Sequence, residues 1–167
     1  MQRRAFLSLS ATAAALGLAG CGFALRKAPD FAFTKLYTSM SGSTLGVELR
    51  RSLQSTRKVE VITDARRINE AEVVLDVLSD QREKVVLSTN AAGQVREFQL
   101  RLRFRFRLRT LAGKELIPDT EILQQRDISF NESAVLAKEA EENLLYRDMQ
   151  NDIVQQIMRR LAAVTEL

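Results

Sequence analysis

Residues 98–109 read FQLRLRFRFRLR. Side chains along a strand alternate between its two sides. In an extended chain Phe98, Leu100, Leu102, Phe104, Phe106 and Leu108 therefore share one face. Arg101, Arg103, Arg105, Arg107 and Arg109 share the other, with neighbours about 7 Å apart at ~3.3 Å per residue. A helix would scatter the same arginines all round its axis. Guanidinium presents a planar fork matched to phosphate and carboxylate, so this row has the chemistry of an anion-binding surface. Two plainer readings compete with that one. The arginines pair with carboxylates on neighbouring strands, for which Asp76, Glu83, Glu97, Glu121 and Asp127 are candidates by phase or proximity. Alternatively they keep a sheet edge from aggregating.

Other chemistry is excluded by composition. The chain has no histidine and a single cysteine, Cys21. The commonest general base and metal ligand is thus absent, and neither a Ser-His-Asp nor a Cys-His site can be built. No disulfide can form within one molecule. Asp76 and Glu83 form a conceivable carboxylate pair, but nothing in their spacing asks for one. We expect a protein that is not an enzyme and needs no cofactor or metal. Lysine and arginine exceed the acids by four, for a formal charge of +4. The excess is small, and segregation of charge along the chain matters more than its sum.

Residues 1–20 have the order of an export signal. Arg3 and Arg4 precede an apolar stretch from Ala5 to Ala19 that is short for a membrane span. Leu18-Ala19-Gly20-Cys21 resembles the lipobox of bacterial lipoproteins. The resemblance implies cleavage between Gly20 and Cys21, S-diacylglycerol and N-acyl lipid on Cys21, and a stable anchor from two or more chains. Gly22 stands where an aspartate often retains such proteins in the inner membrane, so the outer membrane is expected. Gln2-Arg3-Arg4-Ala5-Phe6-Leu7 also resembles a twin-arginine export signal, which leaves the export route open between that and an ordinary signal. Nucleic acid is a poor partner for a chain in the envelope. Phosphorylated lipid, acidic sugars and acidic protein surfaces fit the arginines there.

The elements that must position these residues follow from periodicity. Residues 21–30 are a lipidated tether and 31–167 a single domain, near the usual single-domain size. Phe31–Thr38 is a first strand. Leu45, Leu49 and Leu53 recur every four residues on one helical face. Lys58–Thr63 is a short strand or edge segment. Glu72–Asp80 is a strand, Gln81–Glu83 a charged break, either a turn or a bulge, and Val85–Thr89 a continuation. Asn90-Ala91-Ala92-Gly93 is a hairpin loop, with Gly93 supplying the left-handed conformation. Val95–Leu111 is the arginine strand, and Glu121–Phe130 follows an interruption at Ile117-Pro118-Asp119. Leu145, Met149, Ile153, Ile157 and Leu161 mark a last amphipathic helix of about 30 residues. The layout predicts an α+β fold, with two helices packed on one face of a mainly antiparallel, roughly four-stranded sheet.

Three stretches in this order resemble the LPS-assembly lipoprotein family LptE over nearly the whole chain. Cys21-Gly22-Phe23-Ala24-Leu25-Arg26 is similar to the family's opening. Gly93-Gln94-Val95-Arg96-Glu97-Phe98-Gln99-Leu100 is similar to its hairpin. Ala137-Lys138-Glu139 leads into a helix carrying Met149 and ending in Gln156-Ile157-Met158-Arg159-Arg160-Leu161. The resemblance implies two helices on a four-stranded sheet and a plug inside the β-barrel LptD. It also implies help with assembly of that barrel, and binding of lipopolysaccharide (LPS) at the hairpin end and at the start of the last helix. Lys138 matches the second contact. At the hairpin turn some relatives carry arginine where this chain has Ala91, and Arg96 and Lys84, close to the same end, are the bases that stand in for it. The expected binding residues, for LPS or for the partner, are thus Arg96, Arg101, Arg103, Arg105 and Lys138. The competing function is a carrier or chaperone for another anionic amphiphile, without a barrel partner.

Overall fold

The computed structural model describes residues 29–167. Gly20, Cys21, the export signal and most of the tether lie outside them. Three strands dominate: β3 (Val73–Thr89), β4 (Val95–Thr110) and β5 (Glu115–Ser129), joined as an antiparallel meander. Two short strands, β1 (Lys35–Thr38) and β2 (Glu60–Ile62), complete a five-stranded sheet in the order β2-β1-β3-β4-β5. Helix α1 (Thr44–Ser55) connects β1 to β2, and α2 (Val135–Ala162) ends the fold. Two 3-10 turns, Ala65–Glu70 and Glu132–Ala134, precede β3 and α2.

The fold is α+β as expected, but the sheet has five strands and is mixed. β1 runs parallel to both β2 and β3. Adjacent parallel strands need a crossover connection, and α1 is that crossover. Strand, helix and strand over residues 35–62 carried that signature. Two strands of three and four residues are too short to show it by alternation alone.

One face of the sheet is the core. Leu100, Leu102, Phe104, Phe106 and Leu108 are buried, with Leu45, Leu49 and Leu53 of α1 and Met149, Ile153, Ile157 and Leu161 of α2. These are the phases read from the sequence. Ser43 caps α1 by accepting a hydrogen bond from the Gly46 amide through Oγ (3.0 Å). Gly46 is required by contact, because a Cβ there would lie 2.1 Å from the Met40 carbonyl oxygen. Gly93 closes the β3–β4 hairpin with φ 79°.

Register shifts depart from simple alternation on β3, between Val77 and Ser79 and again across Val86–Thr89, and between β4 and β5 across Phe106–Arg109. Val73, Leu75 and Val77 pair with Thr110, Leu108 and Phe106, so odd residues of β3 face the helices. A bulge between Val77 and Ser79 then inserts Leu78. Beyond it the even residues Asp80, Arg82, Lys84 and Val86 pair with Phe104, Leu102, Leu100 and Phe98. Of the two readings of Gln81–Glu83, no turn occurs: β3 is continuous through it, and the bulge lies just before it at Leu78. The bulge keeps the strand intact while moving its charged half onto the helix side. On β5 the expected interruption at Ile117–Asp119 is likewise a shift inside a continuous strand. Proline is tolerated there because β5 is an edge and needs no donor on its outer side.

Candidate functional site

The arginine strand lies as its alternation requires. Its apolar residues point to the helices, and Arg101 to Arg109 project from the opposite face, partly or largely exposed. Most of these arginines have carboxylate partners. Arg107 and Arg109 both donate from Nε to Asp76, at 2.9 and 2.8 Å. Arg103 donates to Glu121 at 2.7 Å and lies 3.8 Å from Glu83. Arg105 pairs with Asp119. Arg101 donates to the side-chain amide of Gln99 at 2.7 Å, and among the described residues it pairs with no carboxylate. Asp76, Glu83 and Glu121 thus act as the strand phases suggest. Asp127 instead accepts from Gln99, and Glu97 from Ser88. Asp119 was missed because the Pro118 bulge brings it into reach. Burial raises the Asp76 pKa, but hydrogen bonds from Arg109 and Arg107 outweigh it and hold the carboxyl below its ordinary value. This face is largely an ion-pair ladder, with one guanidinium left over.

A different arrangement occupies the helix side of the hairpin end. Lys84 of β3, Phe98 of β4, Ile128, Ser129 and Phe130 at the end of β5, and Val135, Lys138, Glu139 and Glu142 of α2 line a cleft of about 230 Å³. Its floor is apolar, and Phe98 and Phe130 meet edge to face with centroids 5.3 Å apart. Lys84 Nζ stands 4.3 Å from the Phe98 ring centroid and donates to Glu142 at 2.6 Å. Lys138 Nζ donates to Ser129 Oγ at 3.0 Å and to Glu141 at 2.8 Å. Its carboxylate neighbour is therefore Glu141, one helical turn on, and not the adjacent Glu139. Arg96 lines a smaller hollow at the same end, with Gln94, Val95, Phe130, Asn131 and Glu132.

The five expected binding residues therefore divide between two faces. Arg101, Arg103 and Arg105 lie on the open side of the sheet, while Lys138 and Arg96 gather at the hairpin end with Lys84. The Leu78 bulge is what moves Lys84 to that side, and single-residue bulges leave no mark in an alternation count. The aromatic floor was also missed. Phe98 was read as core, and Phe130 as the end of a strand. Chemically the cleft sets two ammonium groups, paired with Glu142 and Glu141, and the carboxylate of Glu139 around an apolar hollow, a rim of mixed charge with hydrocarbon behind it. Among the described residues no group of three or more acidic, cysteine or histidine side chains is placed to hold a metal. None of the described helices is long and apolar enough to cross a membrane.

Comparisons with known proteins agree with this geometry. Residues 32–161 match the family described as LptE, Lipopolysaccharide-assembly. Among solved structures the chain is similar to an uncharacterized lipoprotein B from Nitrosomonas europaea, with 36% identity and a TM-score of 0.71. That match covers 86% of this chain and 92% of the other. Rare lipoprotein B from Shewanella oneidensis is similar at 25% identity and TM-score 0.63, covering 78% and 93%. A minor lipoprotein from Acinetobacter baumannii shares the fold at 24% identity and TM-score 0.62, covering 80% and 94%. No curated protein sequence matches the chain.

Proposed function

Because the chain belongs to the lipopolysaccharide-assembly family LptE, we propose that it is an outer-membrane lipoprotein, anchored through lipid on Cys21, that partners an LptD-like β-barrel in lipopolysaccharide export. In this reading it is a plug and assembly factor for the barrel. It also binds LPS on the way to the surface and catalyses no reaction.

The observation that supports the binding role best is the cleft between β3, β5 and α2. Lys84 and Lys138 stand at its rim, and Phe98, Ile128, Phe130 and Val135 form its apolar wall. Lipid A joins phosphates to acyl chains, and a cleft with both kinds of surface recognises both parts. Phosphate carries more charge than the carboxylates now facing these lysines and accepts charge-assisted hydrogen bonds from ammonium. Arg96 extends the basic rim toward the hairpin. The ladder residues Arg101, Arg103 and Arg105 face away from this cleft and serve instead as a surface toward an acidic region of the barrel.

Two measurements test the proposal. Extraction of the lipidated protein in mild detergent should bring down a large β-barrel subunit in constant ratio. Its absence would count against the partnership. Binding of purified protein to LPS should weaken about tenfold when Lys84 and Lys138 are both changed to alanine, the loss of roughly 1.4 kcal/mol. Equal binding by the double variant, or a preference for anionic amphiphiles lacking lipid A phosphates, would favour a general carrier without a barrel.

A further inference from the structure

The apolar floor of the lysine cleft does not stop at the cleft. Val86 of β3 stands opposite Phe98 of β4, and Phe98 opposite Ile128 of β5. Directly opposed residues of antiparallel strands share a face, with side chains about 5 Å apart. Phe98 and Ile128 line the cleft against α2, so Val86 lies on the helix side with them. α2 reaches β3 at Glu83 through Tyr146 and at Lys84 through Glu142. Val86 lies beyond both contacts and is 49% exposed. It is also the last residue before the ladder shifts register, so the regular helix-side row ends there. At the other end of the row Phe98 meets Phe130, and Phe130 and Val135 line the cleft together. All four of Val86, Phe98, Phe130 and Val135 keep part of their surface in water. Single exposed apolar side chains are ordinary, but a connected run of them marks a binding surface.

Charge and size indicate what lies on it. Lys84 precedes Val86 by two residues on the same face, about 7 Å away at ~3.3 Å per residue. Its ammonium stands 4.3 Å from the Phe98 ring centroid, and Lys138 borders the row from α2. An apolar strip with ammonium groups at its margin matches a ligand in which an anionic group and hydrocarbon are joined. The cleft itself has a volume of about 230 Å³, below the ~300–1,000 Å³ of sites that enclose small-molecule ligands. A long acyl chain is not housed in it and has to continue over exposed apolar surface. Resting on the lipopolysaccharide-binding role proposed above, we infer that one acyl chain of the bound phosphorylated lipid runs across the strands, from the cleft past Phe98 to Val86, its outermost contact. The phosphate stays beside the chain at the lysines, and each methylene laid on the row leaves water.

The test uses the full lipoprotein, purified in one mild detergent, and two probes. One is LPS, and the other is the same LPS stripped of its acyl chains with its phosphates retained. Val86→Asn adds no charge, and at a half-exposed site it should leave the melting temperature unchanged. The variant should bind LPS at least fivefold more weakly and the stripped form within twofold of the unaltered chain. Val86→Leu should bind both as the unaltered chain does. A photoreactive side chain at position 86 should crosslink to the acyl portion of LPS. Unchanged LPS binding by Val86→Asn overturns the inference and leaves the LPS role standing. Equal weakening toward both probes also overturns it, since the residue would then act through the fold or the lysines. Crosslinking from position 86 to protein instead of lipid assigns the row to a partner and overturns the acyl chain. If the unaltered chain binds neither probe, the LPS role falls as well.

Discussion

At the scale of single residues, the two faces of the sheet follow different rules. On the helix side a side chain is either packed or costly. Phe104 is fully buried at the centre of β4. Phe104→Ala should destabilise the domain by about 3–5 kcal/mol, read as a lower denaturation midpoint. Phe104→Asp should prevent folding, because it buries a charge with no partner. Asp80 sits exposed at the rim of the same side, opposite Phe104 in register, and partial desolvation raises its pKa against the nearby Arg82. A carboxyl whose folded pKa is raised weakens the fold above that pKa, and the penalty vanishes below the ordinary carboxyl value. Asp80→Asn should therefore raise the melting temperature slightly at pH 7, since solvent screens an exposed group, with the gain disappearing below about pH 4. Asp76 has the opposite sign. Its folded pKa is lowered by Arg109 and Arg107 despite burial, so its stabilisation is present at neutral pH and is lost as pH falls through the acid range. Melting temperatures of Asp76→Asn and the parent should converge at low pH. If the two profiles stay parallel, the pairing seen here is not the source of the shift.

At the scale of elements, close contact and bulges decide what alternation cannot. Gly46 opens α1 against the Met40 backbone. Glycine costs a helix about 1 kcal/mol relative to alanine, so local propensity alone would favour Gly46→Ala. The 2.1 Å approach to the Met40 carbonyl reverses that preference. The substitution should destabilise the domain by about 1–3 kcal/mol in a chemical denaturation series, as overpacking against backbone does. A gain in stability would show that the loop before α1 yields freely. The bulge at Leu78 acts at the same scale. Without it Arg82 and Lys84 would stand among the arginines, and α2 would have no ring–guanidinium contact at Tyr146 and no ion pair at Glu142.

At the scale of the molecule, the long sheet separates two ends. β3 spans about 50 Å at ~3.3 Å per residue. β1 pairs in parallel with its first three residues, so the segment leading toward the N-terminus leaves at that end. The lysine cleft, Arg96 and Val86 cluster at the hairpin end. In the proposed function this places LPS contacts far from the anchored terminus. The arginine ladder lies between the ends on the open face, where the proposed function has it meet the barrel. Reversing charge at Arg101, Arg103 and Arg105 together to glutamate should lower recovery of the barrel complex at least tenfold, about 1.4 kcal/mol or more. Binding of the free chain to LPS should stay within twofold, because the cleft is on the other face. Loss of LPS binding instead would assign the ladder to lipid. No change in either would leave it an ion-pair ladder only.

Much of this was legible in the linear chain. The twelve-residue alternation determined that 98–109 is a strand with one packed and one cationic face, because a two-residue period admits no other arrangement. The four-residue recurrence of leucines and isoleucines determined both helices and their buried sides. The family was legible in the order of three short stretches. Only the tertiary structure decided which charges meet. A one-residue bulge reverses every later side chain of a strand, and two such shifts moved Lys84 to the cleft and Asp119 to Arg105. Pairing across the sheet likewise decided that β1 and β2 are parallel, and that β3 outruns its neighbour β1. Periodicity reports which side of its own backbone a residue takes. What stands beside it depends on register between segments far apart in the chain, and that is set only when they pack.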